Sequence, residues 1–414
     1  ERAKRQMFPE YKWERDDLDP SFFMLEDIDM YTAWRKKVIE YKPDVIISSI
    51  VEDTYYLWSK FMDQITDQNF ISVVGGVFVT YYPQIFDGQV DYICRGEGDE
   101  VIPELMDLIG DNKDGHHLAN IYPNDMRPAI NVNTLPSTDH EIFDKRSLYR
   151  PFQGRIIKIA TVETQRGCPF RCKFCNSPSN AGLYKEETDS LFFRQRSVEH
   201  IEKEIQHLIK TIDVEFLWIV TDTLLTTSKK KFDDFCDMYS KYKIPFFAQT
   251  RPELLTPHQA KRLVEIGCEK LNMGVEHGDP QFRKDIIGRV YDNQKAIDAF
   301  RIAREAGLNT TCNFIVGYPY ETMESCMKSV DLAAQLGCDD TNAFIFTPYH
   351  GTPMRDMCVN AGFIDKDLIV EMRSDDQGSF LDMPKPYMSK KDIQYMFNNF
   401  VRLFRERERA IMSS

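Results

Sequence analysis

Apolar and polar positions alternate along this chain between short buried runs and longer amphipathic stretches. Residues 44–50, 71–76 and 90–94 are brief β-branched runs without polar alternation, the pattern of strands covered on both faces. Helical spacing at 31–41, at 55–68 and from 99 to about 109 separates and follows them. Strand–helix–strand order at this spacing predicts right-handed crossovers and a doubly wound, Rossmann-like parallel sheet. Ligands of such sheets bind beyond the carboxyl ends of the strands, where Ser48, Gly75-Gly76 and Gly96-Glu97-Gly98 fall.

Residues 111–155 break the rhythm with Asp, Asn, His and Pro and read as an irregular linker. Alternation then resumes in longer units. Strands are predicted at 156–163, 215–221, 245–250, 270–275, 309–317 and 342–347, with helices near 197–210, 229–242, 257–266, 293–306 and 322–336. Six such units predict a partial (β/α)6 barrel with its active site at the strand carboxyl ends. The tail at 388–409 reads as an amphipathic helix carrying Ile393, Met396, Phe397, Phe400, Val401 and Phe404, packed on the barrel. The chain thus divides into 1–110, the linker 111–155, the barrel 156–355 and a helical region 356–414, with no internal repeat.

Composition narrows the picture. Of 414 residues, 42% are apolar and 28% charged, as in an ordinary globular protein. Lys and Arg number 52 against 65 Asp and Glu, a net charge of −13, which argues against a broad nucleic-acid-binding face. No apolar run is long enough for a membrane span and no secretory leader opens the chain, so a cytoplasmic location is expected. The start at Glu1, without an initiator Met, predicts that sequence precedes it. Of ten Cys, seven (94, 236, 268, 312, 326, 338 and 358) are isolated and read as small core residues in a reducing compartment.

The other three do not. Cys168, Cys172 and Cys175 stand at Cys-x3-Cys-x2-Cys spacing directly after the first barrel strand. Thiolates this close need a soft cationic partner. Structural zinc takes four ligands and usually a second Cys-x2-Cys knuckle, which this chain lacks. Three thiolates on a four-iron cluster leave one iron open to a small molecule.

The segment 163–175, Glu-Thr-Gln-Arg-Gly-Cys-Pro-Phe-Arg-Cys-Lys-Phe-Cys, resembles the signature of the radical S-adenosylmethionine superfamily. That resemblance implies a [4Fe–4S] cluster on the three Cys, S-adenosylmethionine chelated at the open iron, and reductive cleavage to a 5′-deoxyadenosyl radical. It further implies contacts to S-adenosylmethionine from Phe174, Asp222, Gln249, Arg251, Glu276, Asn313, Val316, Gly317 and Pro348. The first 110 residues resemble the cobalamin-binding domain that precedes the barrel in one large subclass, the class B-type methyltransferases. The residues carrying this likeness are Ser48, Ser49, Gly75, Gly76, Val77, Gly96, Glu97 and Gly98. Paired glycines after a buried strand would let backbone approach a flat macrocycle closely. The Asp-x-His-x-x-Gly loop that supplies a lower axial His in many cobalamin domains is absent. Either cobalamin binds without a protein His, or the domain is a scaffold that binds none.

With both cofactors, the resemblance implies a methyltransferase acting on an unactivated carbon. A radical cyclase or ring-rearranging oxidase using the same cofactors is the alternative, and a non-catalytic cobalamin or iron–sulfur sensor is a third reading. Expected partners are a small-molecule or peptide substrate and an external electron donor of the flavodoxin or ferredoxin type. No general acid, base or other catalytic side chain is assigned. Phe363, Phe380, Tyr387 and Tyr395 are compatible with a planar substrate, but core packing explains them equally well.

Overall fold

The computed structural model of the chain describes residues 13–24, 27–373 and 378–413. The opening residues, on which the expectation of preceding sequence rests, lie outside this set. Near the N-terminus, β1 (Val45–Ser49), β2 (Ile71–Gly75) and β3 (Tyr92–Ile93) form a parallel sheet in that order. Helices α1 (Met30–Tyr41), α2 (Tyr55–Asp63), α3 (Val77–Tyr81) and α4 (Val101–Gly110) accompany it. Alternate residues face opposite sides: Val74 and Ile93 meet Tyr55 and Phe78, whereas Val73 and Tyr92 meet Val101 and Leu105. The strand order runs sequentially, without the reversal that defines a doubly wound sheet. The strand expected at 90–94 shrinks because the Asp91 carboxylate accepts from Ser72 N and Oγ, both at 2.7 Å, and Cys94 bridges to Ile121 in the linker.

The linker is irregular until β4 (Tyr149–Phe152), which pairs antiparallel with β5 (Arg155–Glu163). A short ladder of β6 (Gln165–Arg166) and β7 (Arg194–Gln195) brackets α5 (Asn176–Thr188), a helix that the hydrophobic pattern did not predict. The barrel continues through α6 (Val198–Ile212), β8 (Phe216–Val220), α7 (Lys229–Tyr239), β9 (Phe246–Thr250), α8 (Pro257–Glu265) and β10 (Cys268–Glu276). It closes with α9 (Asn293–Ala306), β11 (Thr310–Val316), α10 (Met323–Leu336), β12 (Asp340–Ile345), α11 (Pro353–Asn360) and α12 (Lys390–Ser413). The sheet order is β12-β11-β10-β9-β8-β5-β4, with six strands parallel, as the six-unit pattern predicts.

Local chemistry sets the helix starts. Ser197, Ser228, Asp292, Thr322 and Thr352 each accept a first-turn N–H at their helix N-terminus, and Thr256 forms a capping box with Gln259. The apolar stripe of α12 buries Ile393, Met396, Phe400 and Phe404 against α10 and the barrel strands. Ile393 occupies the space where a Cβ on Gly317 would stand, 2.7 Å from its Cγ2. The seven isolated Cys are buried and free, as expected, with Cys312 Sγ and Cys338 Sγ in contact at 3.2 Å. Among the described residues, no helix is long and apolar enough to cross a membrane.

Buried charge locks the strand ends. His277 Nε2 lies 3.0 Å from Glu321 Oε1, both side chains fully inaccessible, while Glu321 Oε2 accepts from Gly317 N and Tyr318 N at 2.5 and 3.1 Å. This carboxylate ties the ends of β10 and β11 together. Glu321→Ala strands two buried N–H groups and an imidazole, so urea unfolding of the protein should show a loss of about 3 kcal/mol.

Candidate active site

The cysteine loop leaves β6 at Gly167 and ends at Cys175, the N-cap of α5, whose Sγ accepts from Ser177 N at 3.4 Å. Cys172 is buried; Cys168 and Cys175 are partly exposed. Two cations flank Cys172: Arg289 Nε donates to its Sγ at 3.2 Å and Arg251 Nη1 lies 3.6 Å away. Arg251 also stacks over the Phe170 ring at 3.7 Å. Burial pushes the Cys175 thiol up to about 12 and raises that of Cys168, so a metal bound here must displace protons.

Strand ends β8, β9 and β10 deliver the predicted polar residues to this loop. Asp222 Oδ2 accepts from Ser177 Oγ at 2.7 Å, and Gln249 Nε2 donates to the Thr221 carbonyl at 2.7 Å. Glu276 sits after a β-bulge with a left-handed φ of 72° and pairs with Arg289 at 3.0 Å. A non-glycine residue held there is the kind of local strain that functional sites retain. Burial raises the Glu276 carboxyl, and the charges of Arg289 and Arg251 offset that. Phe174 faces Tyr318 with centroids 6.1 Å apart.

The remaining predicted residues are not all free for a ligand. Asn313 lies within β11 and accepts from Asn342 Nδ2 at 3.2 Å. The Val316 side chain is core, Gly317 serves Ile393 and Glu321, and the Pro348 carbonyl accepts from Arg355 at 2.8 Å. Arg289 escaped the sequence reading because a Gly-Arg pair in a loop carries no distinguishing pattern. Only its position after Gly288, between β10 and α9, could have drawn attention.

The N-terminal residues divide similarly. A Cβ on Gly76 would stand 2.6 Å from Ile50 O and 2.8 Å from Ile50 N, and φ is +107°. Glycine is required there by the β1–β2 joint rather than by an approaching macrocycle. A Cβ on Gly96 would stand 2.8 Å from Tyr184 Oη, and that on Gly98 would press on Ile102 at 3.1 Å. The Glu97 carboxylate is filled by Arg166 and Arg194, at 2.8 Å each, and by Ile130 N at 3.0 Å. Gly96-Glu97-Gly98 therefore packs the end of the N-terminal sheet against Tyr184, Arg166 and Arg194, on the segments that flank the cysteine loop. Ser48 is half-buried, Ser49 is exposed, and the Gly75 position makes only ordinary contact with Cys94.

Two cavities open beside the cysteine loop. One of about 440 Å³ is lined by Phe174, Phe346, Tyr349, Phe380, Phe397 and Asp53, among others. A second, of about 280 Å³, lies between the N-terminal sheet and the barrel, with Val51, Glu52, Val77 and Phe78 facing Asn176 and His350. Asp53 and Tyr349 line both. Glu52 fixes the joint: its carboxylate accepts from His350 N and Val370 N at 2.7 and 2.8 Å, and its Oε1 is 2.8 Å from His350 Nδ1. The His350 ring stacks on Tyr82 at 4.7 Å.

Residues 162–333 match the family model described as Radical SAM superfamily. Those residues form a radical S-adenosylmethionine (radical SAM) domain. The chain is 26% identical over 336 residues to an uncharacterized methyltransferase of Pyrococcus horikoshii, covering 77% of this chain and 70% of that one. It is 24% identical to the anaerobic magnesium-protoporphyrin IX monomethyl ester cyclase of Rubrivivax gelatinosus, covering 88% of this chain and 69% of the relative. The fold superposes on the radical SAM methyltransferase TsrM of Kitasatospora setae, solved with cobalamin and a [4Fe–4S] cluster, with TM-score 0.62 and 16% identity over 90% of this chain and 75% of that one.

A radical SAM enzyme uses a [4Fe–4S] cluster and S-adenosylmethionine, and the residues present fit both. Among the described residues, no three His, Cys, Asp or Glu converge on a single-ion site. A four-iron cluster needs no such convergence, since each thiolate meets a different iron. Among the described residues, the buried oxygens of Thr164, Thr221, Thr250 and Tyr318 find no hydrogen-bond partner; they lie at the strand ends around the loop, where a polar ligand can satisfy them. Arg289→Met leaves Glu276 buried without its partner and should cost about 3 kcal/mol in chemical unfolding of the cluster-free protein. Adding Glu276→Gln should recover most of that loss, because it removes the stranded charge.

Proposed function

We propose that this radical SAM enzyme is cobalamin-dependent and methylates an unactivated carbon of a small substrate held in the larger cavity. The observation that carries this reading is the shared wall of the two cavities. Asp53 and Tyr349 link the space beside the cysteine loop to the carboxyl ends of the N-terminal sheet. Two cofactors, one on each side, would thus reach one substrate.

In this reading Cys168, Cys172 and Cys175 hold the cluster in the barrel of residues 156–355, and residues 1–110 form the cobalamin domain. Phe174, Asp222, Gln249, Arg251 and Glu276 receive S-adenosylmethionine. Asn313, Val316, Gly317 and Pro348 contribute backbone or wall. Ser48, Ser49, Gly75 and Val77 border cobalamin. When bound, the cluster supplies one electron to S-adenosylmethionine and cobalamin supplies a methyl carrier. The chain's own part is to orient and to exclude water. Arg289 and Arg251 place positive charge beside the thiolates, Asp222 is positioned by Ser177, and Phe380 and Phe397 close the chamber from the C-terminal side. An electron donor of the flavodoxin or ferredoxin type would serve from outside.

The likeness to a ring-forming cyclase over 88% of the chain favours one second reading, radical ring closure without methyl transfer. Anaerobic turnover with S-adenosylmethionine, reductant and hydroxocobalamin, which carries no methyl group of its own, separates the two. Methyl transfer should yield 5′-deoxyadenosine and S-adenosylhomocysteine together; 5′-deoxyadenosine alone would favour the cyclase.

Changing any one of Cys168, Cys172 or Cys175 to Ala should abolish the charge-transfer absorbance and the cleavage of S-adenosylmethionine, while Cys236→Ala leaves both nearly intact. Full 5′-deoxyadenosine production by Cys172→Ala would contradict the cluster assignment. Val77→Trp should fill the interdomain cleft and eliminate cobalamin binding in a corrinoid absorbance titration, with the cluster spectrum unchanged. Gly76→Leu is not a clean test, since it would break the β1–β2 joint itself.

A further inference from the structure

Six aromatic side chains line the larger cavity, beside aliphatic and polar ones. Phe174 comes from the cysteine loop, Phe346 and Tyr349 follow β12, and Phe380 and Phe397 come from the C-terminal region. Such walls take flat, apolar bodies, which slide between ring faces at distances that stacking favours. The polar groups then decide what else the occupant carries.

Among the described residues, three charged side chains line this cavity: Asp53, Glu371 and Arg373. The Arg373 guanidinium lies over the Phe380 ring, 3.6 Å from its centroid, and donates to the Gly378 and Ser379 carbonyls at 3.4 and 3.3 Å. It is built into the wall. Asp53 is different. Its backbone carbonyl accepts from Met372 N at 2.9 Å, which fixes the residue at the meeting of the two cavities. Its carboxylate Oδ1 is buried with no hydrogen-bond partner among the described residues. The neighbouring charge, on Glu52, has the same sign, and burial pushes the Asp53 carboxyl upward. A buried acceptor left empty is costly unless a ligand donates to it.

We propose that this cavity takes a planar, aromatic-bodied substrate bearing a protonated amine, with the amine donating to Asp53 Oδ1 and the body stacked among Phe346, Tyr349 and Phe380. The inference rests on the reading above that this cavity is the substrate site, and it names the substrate class. The ring faces also favour a cation at the amine end. The body then extends toward Phe174 and the cysteine loop. An anionic substrate would meet two carboxylates, Asp53 and Glu371, against one guanidinium, whose Nη1 already donates to the Gly378 and Ser379 carbonyls. A neutral one would leave Asp53 Oδ1 unpaired.

Three indoles share one bicyclic body and differ only in the side arm: tryptamine is a cation, 3-ethylindole neutral, and indole-3-propionate an anion. Saturation-transfer NMR titrations with the full-length, cluster-loaded but unreduced protein measure their affinities directly. Tryptamine should bind at least about tenfold tighter than 3-ethylindole, the scale of one charge-assisted hydrogen bond, and indole-3-propionate most weakly. Asp53→Asn should bring tryptamine to within about twofold of 3-ethylindole, because one charge-assisted contact is removed, without changing 3-ethylindole itself. Phe380→Ala should weaken all three. Equal or tighter binding of indole-3-propionate, an unchanged preference in Asp53→Asn, or no binding of tryptamine at millimolar concentration would each overturn the inference. These titrations need no turnover, so they separate from the functional reading. The expected order without any methylated product would count against methyl transfer alone. Cleavage of S-adenosylmethionine without amine preference would count against the substrate class alone.

Discussion

A guanidinium buried beside a thiol organises this site. Arg289 is almost inaccessible, donates to Cys172 Sγ, and pairs with a carboxylate, Glu276, that is itself buried and held in a left-handed conformation. None of the three would be stable there alone. A buried carboxylate without a partner shifts toward its neutral form, and a buried guanidinium cannot lose its proton. Together they form a compensated cluster of charge at the carboxyl end of β10, next to the loop that carries the other two thiols. The barrel's parallel order makes this possible, because it brings the ends of β8, β9 and β10 to one rim.

The second constraint is the joint between the two sheets. Glu97 meets Arg166 and Arg194 at one end, and Glu52 meets His350 and Val370 at the other. Arg166 immediately precedes Gly167 and the first cysteine, so the N-terminal layer grips the root of the cysteine loop. Between these two anchors lie the cavities that share Asp53 and Tyr349. Glu97, which the sequence offers as a cobalamin contact, is thus bonded to Arg166 and Arg194 at this joint.

Much of the barrel was legible because its strands are continuous apolar runs bounded by capping residues. The six predicted strands fall within a few residues of those observed, and α9 matches 293–306 at both ends. The cysteine loop was legible because three thiols at that spacing have few other uses. What was not legible has one recurring cause. Gly76, Gly96 and Gly98 look like ligand glycines, yet what excludes a Cβ at Gly76 and Gly96 is the chain's own Ile50 and Tyr184, contacts made across the fold and invisible in local sequence. Helix α5 was missed because its apolar residues do not form a stripe; Tyr184 and Ser177 are its only fully buried positions. Arg289 and Asp53 were missed because a charged residue in a loop becomes informative only once its burial is known.

The central claim is that three thiols hold a four-iron cluster with one iron left open for S-adenosylmethionine. Electron paramagnetic resonance of the anaerobically reconstituted, dithionite-reduced protein tests it most directly, recorded with and without S-adenosylmethionine. The account requires the spectrum of a single reduced [4Fe–4S] cluster whose g-values shift when S-adenosylmethionine is added. A protein that takes up no iron, or a cluster signal that S-adenosylmethionine leaves unmoved, would contradict it.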